Sequence, residues 1–570
     1  MELARLVVVA AALVVAARWG VSGSAVGGVL VAGTMLGGWV RERPVEAGGR
    51  LPSWGTLAAG VALGAIVVVV GLRADHERRR LDEPARTGTV EGVAWIVRDP
   101  ERSEFGVRTV LRLDGARYWT EVPTGSAAEL RGSLVGDRVH VRGRVAPFRG
   151  ARDSWRWSRH LAGVLRVDTV SAGPPAPAWF AVPNALRRLL DAGASGLDED
   201  RRALYLGLVV GDDRDQTDLD RFRFRASGLG HLLAVSGQNV SLTLAAAAPV
   251  LFRLPRRLRP LAGVVVVGLF VVVTRAEPSV LRASVMAVVV LVAASEGRVA
   301  GGVRALAWSV AALVVVDPLL VHSLGFVLSV VATLGLALGS GSLTDRLVGP
   351  RWWRELLGAS LAAQVATLPV QLAAFGVVPA AAPLANVLAV PAAGAVVVLG
   401  ASVGVVAGLV HPVVGEVLVL PAALLVGWID AVAAWVSRLP IPPLDAPRAA
   451  LVLVGGSLAW SVGRERRWWF RAVVVAAGLG LLATALVPVP PSPGRHRLTG
   501  SSVLEVAADG RRRVAVAPGA SGLDVLDALW RLGVVRVDEV SGPPGARAVV
   551  AVAEQFGADV STPRAGGVGE

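Results

Sequence analysis

One stretch of the chain sets polar and ionisable side chains directly against an oily run: Arg221-Phe-Arg-Phe-Arg-Ala-Ser-Gly-Leu-Gly-His-Leu-Leu-Ala-Val-Ser-Gly-Gln-Asn-Val-Ser241. Polar groups at membrane depth are costly unless they face water or one another. Arg225, Ser227, His231, Ser236, Gln238 and Asn239 therefore read as the lining of a wet, partly cationic path, with Arg282 next. A polar loop that caps a helix is the plainer alternative for each of them. Glycines 228, 230 and 237 allow close helix packing or a break in the helix. Gln364, Thr367 and Gln371 share one helix face, interrupted by Pro369, and read as a second polar wall or as interhelical hydrogen bonding. Asn386, ahead of Pro391, reads as the mark of a broken helix. A second group is aromatic and basic. Trp155, Arg156 and Trp157 alternate rings with charge near Arg142, Arg144 and Arg149, the pattern that stacks bases and neutralises phosphates. Trp95 and Trp119 read as ordinary core residues.

What is missing narrows the chemistry. The chain has no cysteine, which excludes thiolate metal sites, disulfides and cysteine nucleophiles. Its seven histidines are scattered with no HxH or HxxxH pair, so no metal is expected. No GxxxxGK[ST] loop is present, so no cofactor is expected and any nucleotide-driven motor would be a separate chain. All basic residues are arginine and the formal net charge is +14, which favours anionic partners such as phospholipid headgroups or nucleic acid.

The elements that must position these residues are mostly apolar spans. The chain has 570 residues, is 53% hydrophobic and 18% charged, and has a mean hydropathy of +0.57, outside the range of ordinary soluble enzymes. Spans of about 20 residues are needed to cross a bilayer. Candidate runs are Leu3–Ala17, Ala25–Val40 and Trp54–Leu72, then Leu232–Phe252, Leu261–Val273, Val280–Ala294, Val303–Val321, Leu324–Leu338, Leu356–Val378, Leu384–Val410, Val414–Val436, Ala449–Val462 and Trp468–Val487. Between the third and fourth runs the pattern alternates. Strands are expected at Thr89–Val97, Val107–Leu113, Arg117–Val122 and Asp137–Val145, with turns at Asp99-Pro100 and Asp114-Gly115. Four or five such strands suggest a small barrel. Trp179–Arg202 is amphipathic and suits a membrane interface.

The fold class expected is thus a polytopic α-helical membrane protein of about 10–13 apolar segments, with a small all-β OB-like domain inserted after the N-terminal spans and a short α/β soluble tail. The division is 1–72 N-terminal transmembrane helices, 73–175 β-domain, 176–230 amphipathic or interfacial helices, 231–490 transmembrane domain and 491–570 tail. The densest basic loops, Arg253–Arg259, Arg346–Arg354 and Arg464–Arg467, should be cytoplasmic, which puts the β-domain and tail outside. Arg78–Arg80 falls on the outer side in this scheme and conflicts with it.

Phe224-Arg-Ala-Ser-Gly-Leu-Gly-His-Leu-Leu-Ala-Val-Ser-Gly-Gln-Asn-Val240 resembles the signature of the ComEC family, the inner-membrane channels of bacterial competence. Pro278–Met286, Asp317–Gly335, Ala366–Pro369 and Ala385–Pro391 agree in order, and Gly136–Arg144 is similar to the end of the family's OB-like domain. The resemblance implies import of single-stranded transforming DNA through a bacterial plasma membrane. It also implies a DNA-receptor protein and a cytoplasmic ATP-driven motor as separate partners, besides membrane lipids; a homo-oligomer is left open. Members commonly end in a metallo-β-lactamase-like nuclease domain with an HxHxDH motif. Here Arg513–Gly519 and Leu529–Val540 resemble parts of that domain, but Ser541-Gly-Pro-Pro-Gly-Ala-Arg547 stands where the ligands belong. The tail is expected to be a truncated relic that holds no metal, and the protein not to be an enzyme. A transporter of a small molecule or lipid, with the β-domain serving assembly, is the competing expectation.

Overall fold

The computed structural model describes residues 6–20, 22–24, 27, 54–83, 87–103, 106–130, 132–148, 155–174, 176–462, 491–543 and 545–561. The expected spans Ala25–Val40 (Gly27 apart) and Trp468–Val487, and Arg149 among the site candidates, lie outside the described residues.

Two N-terminal helices, α1 (Leu6–Gly20) and α2 (Trp54–Asp82), pack on the later bundle. Helix α2 does not stop at Leu72. Its last turns are built from good helix formers and are laced by the pairs Arg73–Glu77 and Arg78–Asp75. Arg79 and Arg80 therefore close a helix, where cations complement the macrodipole, and do not begin a loop.

The β-domain is a closed five-stranded barrel: β1 (Gly88–Ser103), β2 (Gly106–Leu113), β3 (Ala116–Pro123), β4 (Arg138–Ala146) and β5 (Leu161–Ala172), in the order β1-β2-β3-β5-β4. All neighbours are antiparallel except β3 and β5, which are parallel. Strand β1 runs straight through the expected turn at Asp99-Pro100. Register shifts on either side of Arg98 form bulges there, which is how a strand accommodates a proline. Ala94, Ile96, Leu111, Val141 and Leu165 fill the barrel. Period-two alternation then puts Trp95 outside, where Arg112 and Arg138 stack on its ring at 5.3 and 4.4 Å, and Arg108 stacks on Trp119 at 5.7 Å. Neither tryptophan is in the barrel core, contrary to the sequence expectation.

Three helices follow: α3 (Ala178–Gly193), α4 (Glu199–Val210) and α5 (Asp218–Ala226). Helix α4 is no surface helix, since Ala203–Val210 are all buried in the main bundle core. The bundle continues with α6 (Gly237–Leu251), α7 (Arg259–Val273), α8 (Pro278–Ser295), α9 (Gly302–Val316), α10 (Leu324–Thr344), α11 (Arg351–Phe375), α12 (Ala382–Leu399), α13 (Pro412–Ser437) and α14 (Ala446–Val462). Among the described residues, five helices are long and apolar enough to cross a membrane, consistent with a multi-pass membrane protein. Two expected runs are divided. Asp317 ends α9 and caps a separate turn, Pro318–His322, through Leu319 N–H. The run that begins at Leu232 is broken before Gly237. One expected break is absent: α12 passes through Pro391 without interruption, and the irregularity lies at a π turn, Gly400–Gly404. Neighbouring helices can compensate the hydrogen bond that a proline removes.

The tail is a five-stranded sheet in the order β10-β9-β8-β7-β6, from β6 (Gly494–Arg497), β7 (Val503–Val506), β8 (Arg512–Ala515), β9 (Glu539–Ser541) and β10 (Asp559–Ser561). Strands β8, β9 and β10 are parallel. Helices α15 (Gly522–Arg531) and α16 (Arg547–Phe556) complete its core.

Candidate functional site

The signature stretch starts on α5, which a capping box between Thr217 and Asp220 nucleates. The helix serves two cores. Leu219, Phe222 and Ala226 enter the core of the tail, and Phe224 enters that of the membrane bundle. Two of its arginines point at the tail: Arg223 donates to Gln555 Oε1 and Glu554, and Arg225 pairs with Asp527 of α15, whereas Arg221 donates to Asp213 O. Arg225 thus sits at a docking contact with the tail. The Asp527 carboxyl is raised above the ordinary range by burial, with Arg225 opposing the shift. Replacing Asp527 with Asn should weaken tail docking by about 1 kcal/mol, because the Arg225 side of the pair is half open to solvent. Faster amide exchange in α15 but not in the barrel would register it.

Beyond α5 the chain turns sharply. Ser227 is fully buried and donates to Phe224 O. Gly228 takes φ +82°, and a Cβ there would lie 2.2 Å from Ala382 Cβ. A helical turn, Gly230–Leu233, carries His231, which is exposed and contacts Gly228 O at 3.2 Å. Ala234 is extended, and Ser236 donates to Asn239 Oδ1 while Asn239 donates to Leu208 O. Asn239 is therefore a buried brace between α6 and α4.

Arg282 lies next to this turn. It is 4% exposed, donates through Nε to Ser329 Oγ at 2.9 Å and sits 2.9 Å from Met286 Sδ. Its other terminal nitrogen approaches Gly237 so closely that a Cβ there would be 2.7 Å away. Among the described residues no carboxylate forms an ion pair with Arg282. A buried cation without a counter-charge is costly, so the place suits an anion. Below it, Gln238, Ser241, Ala245 and Pro249 are all exposed and form one face of α6 over about 16 Å. This face is polar at Gln238 and Ser241 and continues with the small apolar Ala245 and Pro249. By contrast, the exposed residues of α10 include the large Leu324, Leu334, Leu336 and Leu338. Gln238 also lies over Gly394 of α12.

The second polar wall is on one face, as its spacing suggested, but its groups are engaged locally. Gln371 donates to Thr367 Oγ1, Gln364 to Pro379 O, and Asn386 to Ser360 Oγ. In the barrel, Arg142 and Arg144 lie exposed on the outer face of β4. Trp155, at 36% exposure, meets Trp119 edge-on and has Arg159 over its ring. Arg156 and Trp157 both bond Asp82 at the end of α2, so they clamp the barrel to that helix.

Sequence reading missed a buried ionic network that joins the barrel to the bundle. Arg187, 3% exposed, bridges Asp99 of β1 (3.1 Å) and Asp212 after α4 (2.9 Å). Arg275, in the turn before α8, donates to both Asp99 oxygens and to Asn184. Burial alone would raise the Asp212 carboxyl, but hydrogen bonds from Arg214 and the charges of Arg187 and Arg214 bring it down to about 2. Asp99 is likewise lowered, with Arg187 and Arg275 outweighing burial. Carboxylates depressed in the folded state add stability that is complete above about pH 4 and is lost as pH falls towards 2. Asp213 acts oppositely: burial and Glu101, set against Arg98 and Arg221, raise it to about 6, so its contribution declines as pH rises from about 4 to 6. Asp99→Asn at neutral pH should cost about 3–5 kcal/mol at this seam, because it strips charge from a buried pair. Thermal unfolding in detergent measures it, and an unchanged midpoint would rule out a seam held by this network. A cleft of about 1080 Å³ lies between barrel, α5 and tail. Arg102, Arg221 and Arg547 alternate there with Asp200, Asp220 and Asp524, so it is no cationic groove.

Residues 208–467, from the end of α4 onward, match the family model described as Competence protein. The chain is also similar to ComE operon protein 3 of Bacillus subtilis (strain 168), 26% identical over 351 residues, which is 61% of this chain and 43% of that protein. It thus matches less than half the length of that curated relative. No solved structure matches it.

Proposed function

The chain belongs to the Competence protein family through residues 208–467, and from that premise we propose that it forms a channel for single-stranded transforming DNA in a bacterial plasma membrane. The observation that carries the reading is Arg282, buried without a carboxylate partner about 6 Å into α8 from the end that meets the barrel. A DNA strand enters a low-dielectric region only where its phosphate hydration is replaced. Arg282 and the bare Gly237 backbone would receive a phosphate at the mouth. Gln238 and Ser241 would continue the polar contact along α6. His231 stands exposed beside that entrance, whereas Ser227 and Asn239 act as braces.

The barrel's strand order with its single parallel pair supports an OB-like reading. The Arg–Trp stacks at Trp95, Trp119 and Trp155, together with Arg142 and Arg144, would hold bases and backbone there. The basic loop Arg253–Leu258 joins α6 and α7 at the end away from the barrel, which by the positive-inside rule favours a barrel and tail on the outer face. With Ser541–Arg547 in place of zinc ligands, the tail is read as a non-catalytic support for α5. A DNA receptor and an ATP-driven motor would be separate chains.

The test is complementation. In a naturally transformable host that lacks its own copy of this protein, expression of this chain should restore transformation. Membrane-inserted protein with no restoration would favour a small-molecule or lipid cargo.

A further inference from the structure

Outside the proposed path, three side chains from distant parts of the sequence converge on the seam between barrel and bundle: Glu77 of α2, His160 just before β5, and Asp317 between α9 and the turn Pro318–His322. One donor atom from each lies within 4.8 Å of the other two. None of the three is near another in sequence, so no motif announced them. His160 Nε2 is 3.0 Å from Asp317 Oδ2. That separation suits a hydrogen bond, and it also suits two ligands of one ion, since bonds of about 2.0–2.1 Å at tetrahedral or octahedral angles put ligand atoms about 2.8–3.4 Å apart.

The geometry points to a divalent transition-metal site, of the Zn²⁺ class, formed by Glu77, His160 and Asp317. The donor set argues for that class. One imidazole nitrogen with two carboxylates is a common zinc set, whereas Mg²⁺ and Ca²⁺ favour oxygen alone. Two carboxylates this close repel unless positive charge stands between them. Histidine ligands are usually oriented by a second partner. All three residues are half-buried, so water can complete the coordination and the ion can enter from solvent. Two cations compete: Arg73 pairs with Glu77 Oε1 at 2.9 Å and also donates to Val315 O, and Arg117 acts electrostatically on Asp317. The ion must share or displace that contact, so Arg73 tempers affinity. Because the ligands come from α2, the barrel and the α9–α10 connection, the ion would staple the β-domain to the membrane bundle. The site involves none of the path residues, and its test does not depend on DNA uptake.

The experiment is Zn²⁺ binding by equilibrium dialysis to the full chain in detergent, with Co²⁺ absorption as the spectroscopic probe. One equivalent of Zn²⁺ should bind and compete with Co²⁺. His160→Ala should weaken binding at least tenfold, Arg73→Gln should tighten it severalfold, and His411→Ala, remote from the cluster in sequence, should leave it unchanged. Amide exchange on the unmutated protein covers the case of a misfolded variant: Zn²⁺ should slow exchange at Trp155–Leu161 and Pro318–His322. Absence of a stoichiometric ion, undiminished binding in the His160→Ala/Asp317→Asn double variant, or no change in exchange at those segments would overturn the assignment.

Discussion

Arg282→Gln should lower DNA uptake by roughly 10²-fold while the protein remains in the membrane at its normal level, since a charge-assisted hydrogen bond contributes about 1.5–3 kcal/mol. Glutamine is long enough to keep the contact to Ser329 Oγ, so folding is spared and the positive charge alone is removed. Arg282→Lys should recover only part of the activity, because its single nitrogen lacks the planar fork that sets Nε on Ser329 and leaves terminal nitrogens for a phosphate. Transformation frequency set against membrane protein level separates these outcomes. Wild-type uptake in Arg282→Gln would mean that this buried cation is structural.

Gly228→Ala should be severely damaging. The residue has φ +82°, where any side chain costs about 1–2 kcal/mol. The added methyl would also lie 2.2 Å from Ala382 Cβ and 2.8 Å from its Cα, so backbone must move, at a further cost of about 1–3 kcal/mol. The sum rivals the whole stability of many domains. Loss of folded protein, or a large fall in the thermal midpoint, is expected. Gly325→Ala is the control, since its nearest neighbour would be Ser323 Oγ at 3.9 Å and no effect should follow. The contrast ties the signature's first glycine to the close passage of α12.

These two residues also illustrate what a single sequence can convey. The polar-to-apolar junction at Phe224–Ser241 was legible because hydrophobicity and polarity are local properties. Its division of labour was not. Arg225 and Arg282 look alike as isolated arginines, yet the first meets Asp527, 302 residues away, and the second meets Ser329 with no carboxylate. The barrel is legible from period-two alternation, but that alternation leaves the absolute face open, which is why Trp95 reads as a core residue and yet lies outside. Pro391 suggested a break because the residues that compensate it belong to other helices. The Arg187–Asp99–Asp212–Arg275 network and the Glu77–His160–Asp317 cluster had no local signal at all, since every contact in them joins segments far apart in the chain. The tail's attachment through α5 was hidden for the same reason: Leu219, Phe222 and Ala226 form an apolar face whose partner begins hundreds of residues later.

The absence of native cysteine makes one decisive measurement simple. Single cysteines at Gln238, Ser241 and Ala245, and at Leu338 for comparison, can be tested with a small charged thiol reagent in intact membranes. A water-filled path along α6 predicts fast modification at the three α6 positions, protection there when single-stranded DNA is engaged, and no reaction at Leu338. Unreactive cysteines along α6, at the rate seen for Leu338→Cys, would show that face to be covered by lipid or protein and would contradict a DNA path.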